Sequence, residues 1–221
     1  MCSSDLLTAA LLACRTRIAV LHREPGISYV LVFKNQGQGS GATLRHPHFQ
    51  IAALPVVPER IKSQLDRARE YFEHSGACVH CDLTEMECAE GARLIHSDDD
   101  LTVFAPSGAR FPGEAWILPR QHAARFEESS DRSLAAMAAA IGRLASALRS
   151  WAGDVPFNLA LHTAPPGAGC ASFWHWRIEL MPRLTGVAGF EWATGIHVNQ
   201  ITPEEAARRY RENWGRIPTA Q

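Results

Sequence analysis

The sequence has no apolar run long enough to span a bilayer, which takes about 20 residues. It also lacks an excess of either charge: 22 Lys and Arg face 23 Asp and Glu, for a net charge of −1. That balance argues against nucleic acid or an anionic membrane surface as a partner. Cysteine is sparse. Of six residues, only Cys78 and Cys81 form a tight pair. A chain of 221 residues, 46% of them apolar, can bury a core without a disulfide scaffold. These features predict a reducing, cytoplasmic setting, with Cys-x-x-Cys serving as a metal clip or redox pair. No Lys or Arg precedes Leu11-Leu12-Ala13-Cys14, and Asp5 lies in that stretch, so it makes a poor secretory signal. Ser4 or Asp5 instead caps a helix with apolar positions Leu6, Leu7, Ala10, Leu11, Cys14, Ile18 and Leu21.

The most informative segment runs from Phe33 to Gln50. It reads as a strand end, a glycine-rich loop (Gly37, Gly39, Gly41), then a second strand carrying His46, His48 and Gln50. Residues two apart on a strand share a face, so both imidazoles and the amide would line one side. The loop beside them allows backbone to approach an anion closely. This combination suggests phosphorus chemistry with a histidine nucleophile.

Around this segment the chain reads as α+β. Strands are expected at 29–33, 46–54, 93–96, 101–105, 114–119, 157–163 and 172–181. Helices are expected at 58–74 and 133–151 and from Pro203, where Thr202 is the cap. A weak internal repeat relates strand–glycine loop–strand at 29–54 to the same pattern at 157–181. It aligns His46-Pro47-His48 with His175-Trp176-Arg177. This predicts two units, 1–75 and 76–221, of which only the first has a histidine at the nucleophile position.

The run Gly41-Ala42-Thr43-Leu44-Arg45-His46-Pro47-His48-Phe49-Gln50 resembles the active-site segment of galactose-1-phosphate uridylyltransferases, the transferase branch of the histidine-triad superfamily. The likeness continues through Val103–Pro106, Phe111–His122, Ala188–Gly195 and Pro203–Ala207. It implies two histidine-triad-like units with mostly antiparallel sheets flanked by helices, the first truncated at its N-terminus. It also implies a cytoplasmic homodimer that exchanges UMP between UDP-glucose and galactose 1-phosphate through a covalent uridylyl-histidine. An ADP-sugar phosphorylase or adenylyltransferase of the same superfamily is the alternative, as is a catalytically incomplete zinc-binding fragment. Gln50 stands where the superfamily's hydrolases carry a third histidine. An amide cannot act as acid or base near pH 7, which speaks against hydrolysis.

Residue by residue, the resemblance assigns His48 as nucleophile and Gln50 as its catalytic neighbour. Asn35, Gly41 and Thr43 become phosphate contacts. Glu191 becomes a sugar-hydroxyl ligand reaching across a dimer, helped by Asn199. Cys78, Cys81, His122 and His175 become a closed Zn2+ site. His46 matches a ligand of a first zinc site whose partner cysteines do not precede Tyr29. Iron, used by some relatives, is not expected, because Arg177 and Glu179 replace its His-x-His pair.

Overall fold

The computed structural model describes residues 4–42, 44 and 46–215. Its strands are β1 (Tyr29–Gln36), β2 (Gln50–Leu54), β3 (Leu94–Ser97), β4 (Leu101–Phe104), β5 (Ala115–Pro119), β6 (Phe157–His162) and β7 (Arg177–Pro182). They form one sheet in the order β2-β1-β6-β7-β5-β4-β3, and every neighbouring pair is antiparallel. The helices are α1 (Ser4–Leu21), α2 (Glu59–Ser75), α3 (Val79–Glu90), α4 (Asp131–Ala152), α5 (Gly189–Thr194) and α6 (Pro203–Asn213). The architecture is that of the α+β class. Strands from both sides of position 75 share the sheet, because β1 pairs with β6. Among the described residues no helix is long and apolar enough to cross a membrane.

Strand alternation divides the two faces. Val30, Val32, Leu159, Leu161, Ile178, Leu180 and Ile117 turn to one side, where Leu11 and Ile18 of α1, Leu144 of α4 and Tyr210 of α6 cover them. Tyr29 turns to the other face, packed with Ile61 and Leu65 of α2 and with Trp174. Thr202 makes the cap expected at α6, accepting from Glu205 N, and α4 is capped by Ser130, which accepts from Ser133 N.

The second face also buries charge. Glu179 is fully buried and accepts from Arg177 Nε at 3.0 Å and Arg110 at 2.6 Å, with Arg60 at 3.4 Å. His162 Nε2 lies 3.5 Å away, and its Nδ1 meets Tyr29 OH at 3.1 Å. The Arg177 guanidinium lies between Trp116 and Trp174, 4.8 and 5.3 Å from their ring centroids. It also bonds Gln64 of α2 and His80 of α3, tying both helices to the sheet. Burial opposes ionisation of Glu179, but His162, Arg177 and Arg110 outweigh it and hold the carboxyl well below its usual range. Burial lowers the pKa of His162 against the opposing pull of Glu179.

Two local expectations differ from the fold, and one helix was not expected. β2 begins at Gln50, not His46, since Pro47 has no N–H for a ladder and residues 46–49 lie outside it. β7 begins at Arg177, because the amides of Phe173 and Trp174 turn back onto the Cys170 carbonyl. Helix α3 has no apolar stripe to reveal it: its buried residues are His80, Thr84 and Glu87.

The charged cluster sets an acid limit. Both Glu179 and His162 have folded pKa values below their unfolded ones, so the unfolded chain takes up protons first. The stabilisation is complete above about pH 6.5 and is lost as pH falls, with the carboxylate part lost below about pH 4.3. Urea midpoints should fall through this range. Glu179→Gln should cost roughly 3–5 kcal/mol at pH 7 and flatten the profile. A gap between variant and wild type that does not change with pH contradicts this assignment.

Candidate functional site

β1 ends at Gln36 and the glycine loop turns away from the sheet. Gly37 has φ +83°, and a Cβ there would lie 3.2 Å from Pro156 Cα, so a side chain would push the loop off the start of β6. The chain returns through His46 and Pro47 to β2, the outermost strand. His48 Nδ1 lies 2.9 Å from the His46 carbonyl. A carbonyl only accepts, so Nδ1 carries a proton, and in the neutral ring the free lone pair is then on Nε2. The two imidazole centroids are 5.4 Å apart. His48 is half-buried and borders a hollow of about 510 Å³ together with Lys34, Phe49 and Arg17. An adjoining hollow shares Leu7, Lys34 and Pro47 with it and is walled by Gln36 and Gly37 at the loop's start. Gln50 is half-buried opposite Phe33.

The other expected contacts divide. Asn35 Nδ2 donates to the Gly41 carbonyl at 3.4 Å, so these two residues meet. Thr43 lies outside the described residues. Glu191 caps its own short helix by accepting from Ala188 N at 3.0 Å. Asn199 is engaged with the Ala109 carbonyl and the Ile201 amide. Neither Glu191 nor Asn199 lines the hollow beside His48. Sequence reasoning missed Asn158, which donates to Asn35 Oδ1 at 2.6 Å and to the Ser40 carbonyl at 2.9 Å. Only the β1–β6 register, which sets Asn35 opposite Asn158, reveals it.

Cys78, Cys81, His122 and His175 come together, with their donor atoms all within 4.8 Å of one another. Cys78 is the N-cap of α3 and Cys81 lies in its first turn, where the helix dipole favours thiolate. His122 follows β5 and His175 precedes β7, its paired neighbour. Cys81 Sγ lies 3.3 Å from His122 Nδ1 and 3.5 Å from His175 Nδ1. Metal–sulfur and metal–nitrogen bonds of zinc length at the tetrahedral angle place S and N about 3.5 Å apart. His122 Nε2 donates to the Ala171 carbonyl at 2.7 Å, which leaves Nδ1 as the ligand atom. The Cys81 contact lowers the pKa of the Cys78 thiol, and the Cys78 contact raises that of Cys81. The donor set suits a soft divalent ion, so the cluster can hold a metal. His46 is exposed, and no second cluster of this kind occurs among the described residues.

Residues 9–215 match a family model described as a domain of unknown function, DUF4921. The chain is 33% identical over 204 residues to the ADP-glucose phosphorylase of Arabidopsis thaliana, covering 91% of this chain and 57% of that protein. It is 30% identical over 194 residues to the galactose-1-phosphate uridylyltransferase of Thermotoga maritima, covering 84% of this chain and 60% of that one. The chain thus spans under two thirds of the length of these relatives. A solved structure of a uridylyltransferase superposes with a TM-score of 0.89 at 30% identity, covering 96% of this chain and 69% of that one.

Titration with Co2+ should give a thiolate-to-metal charge-transfer band that saturates at about one equivalent. Cys78→Ser and His122→Ala should weaken binding at least tenfold and lower the thermal midpoint of the metal-loaded protein. A band unchanged in both variants contradicts the ligand set.

Proposed function

The chain belongs to the galactose-1-phosphate uridylyltransferase family, and on that premise we propose that it carries a nucleotidyltransferase site centred on His48. The His48 Nε2 lone pair attacks the α-phosphorus of a nucleotide sugar. A P–N bond forms, the α-phosphorus–oxygen bond to the β-phosphate breaks, and the sugar 1-phosphate departs with that electron pair. A second sugar 1-phosphate then attacks the same phosphorus through a phosphate oxygen and displaces the imidazole. The observation that carries this reading is the Nδ1–His46 carbonyl bond, which holds the ring in the one tautomer able to attack through Nε2.

The other residues take supporting parts in the proposal. Gln50 hydrogen-bonds phosphoryl oxygens without acting as acid or base, which protects the intermediate from water. Asn35, Gly41 and Thr43 hold the phosphates. Glu191 and Asn199 select sugar hydroxyls in a homodimer. Units 1–75 and 76–221 carry the nucleophile and the metal respectively. The metal is zinc in a closed Cys₂His₂ site, which holds α3 to the ends of β5 and β7 and takes no part in phosphoryl transfer. The compartment is cytoplasmic.

The exchange we assign is between UDP-glucose and galactose 1-phosphate. A second reading, phosphorolysis of ADP-glucose, is favoured by the 33% identity to ADP-glucose phosphorylase. There, inorganic phosphate attacks the nucleotidyl-histidine and carries the nucleotide away as ADP.

Mixing the protein with UDP-glucose or ADP-glucose alone, followed by intact-mass measurement, tests both readings. A UMP adduct supports the first and an AMP adduct the second. His48→Ala should abolish either. An adduct that persists in His48→Ala, or no adduct from either sugar nucleotide, contradicts the proposal.

A further inference from the structure

We infer that Asn158 is a positioning residue for nucleotidyl transfer: oriented by Arg183, it fixes Asn35 and the glycine loop in the form that receives phosphate. The inference rests on the reading of His48 as nucleophile, but the contacts that carry it lie elsewhere.

These contacts run in one direction. Arg183 Nε lies 2.7 Å from Asn158 Oδ1. A guanidinium can only donate, so Oδ1 must face it, and this decides which way the Asn158 amide points. Both Asn158 Nδ2 hydrogens are then directed at acceptors, one at Asn35 Oδ1 (2.6 Å) and one at the Ser40 carbonyl (2.9 Å). With its oxygen engaged, Asn35 presents Nδ2 to the Gly41 carbonyl at 3.4 Å. Arg183 is itself held: its backbone N–H donates to the Pro156 carbonyl at 2.8 Å, and its guanidinium lies 5.6 Å from the Phe111 ring centroid. Pro156 is also the residue against which Gly37 packs. Both the start and the end of the loop are therefore fastened to the beginning of β6.

The consequence follows from peptide geometry. In a trans peptide the C=O and the next N–H point in opposite directions. Holding the Ser40 and Gly41 carbonyls toward Asn158 and Asn35 turns the N–H groups of Gly41 and Ala42 the other way. Two successive outward amides make an anion cradle that carries no formal charge. Gly41, at φ +87°, adopts the bend that this arrangement needs. Asn158 makes the cradle without touching the phosphate. Arg183 supplies the direction, since without it the Asn158 amide can rotate by half a turn and present its oxygen to two acceptors.

The test separates loop order from chemistry. Hydrogen exchange at the Ser40 amide, which donates to the Gly37 carbonyl, should speed up about tenfold in Asn158→Ala. Asn158→Asp should do the same, because it keeps the acceptor for Arg183 and loses both donors. Arg183→Met should show a smaller increase. With wild type forming an adduct on His48, both Asn158 variants should slow adduct formation about ten- to a hundredfold, with the half-saturating concentration of nucleotide sugar raised. The thermal midpoint should change little. Unchanged loop exchange in Asn158→Ala and Asn158→Asp overturns the inference. So does faster exchange with an unchanged rate of adduct formation. If the wild-type protein forms no adduct, it is the functional reading that fails, and the exchange data still decide whether Asn158 orders the loop.

Discussion

The antiparallel pairing of β1 with β6 is the constraint on which the rest depends. It joins the segment that carries the candidate nucleophile to the five strands that follow it, making one sheet. Its register places Asn35 beside Asn158, and so fastens the glycine loop. The same register continues through β7, where it sets His162 beside Arg177 and Ala160 beside Glu179. A slip of β1 by one residue against β6 would turn Tyr29 into the apolar layer under α1, α4 and α6 and take Val30 and Val32 out of it.

Two polar clusters complete the face that carries α2 and α3. One is the Arg177 guanidinium, held between two indoles and neutralised by Glu179. The other is the Cys₂His₂ cluster at the N-terminus of α3, which can hold a metal ion. They are neighbours in the chain, since His175 and Arg177 are separated only by Trp176, whose ring turns to the opposite layer and packs on Phe126. Three consecutive residues thus serve the Cys₂His₂ cluster, the apolar core and the ion pair.

Much of this was legible in the sequence. The apolar run at Tyr29–Phe33 marked β1, the alanine-rich run marked α4, and Thr202 before Pro203 marked the start of α6. The metal cluster was legible through its Cys-x-x-Cys and through the repeat that matched His175 to His46. What stayed hidden depends on contacts distant in sequence. Helix α3 turns polar residues inward, so hydrophobic periodicity is silent there. Asn158 looks like an ordinary polar strand residue until the register places it, and Glu179 looks solvated until three arginines surround it. The strand expected through His46 failed at Pro47, and with it the argument that His46, His48 and Gln50 share one strand face. The bond from His48 to its own chain two residues back replaces that argument.

The most direct measurement is the site of attachment on the imidazole. With 15N-labelled histidine and a nucleotide sugar, 31P–15N coupling in the trapped adduct identifies the bonded nitrogen. Phosphorus on Nε2 of His48 is the expected result, because Nδ1 is held by the His46 carbonyl. Phosphorus on Nδ1, or on another histidine, would contradict it.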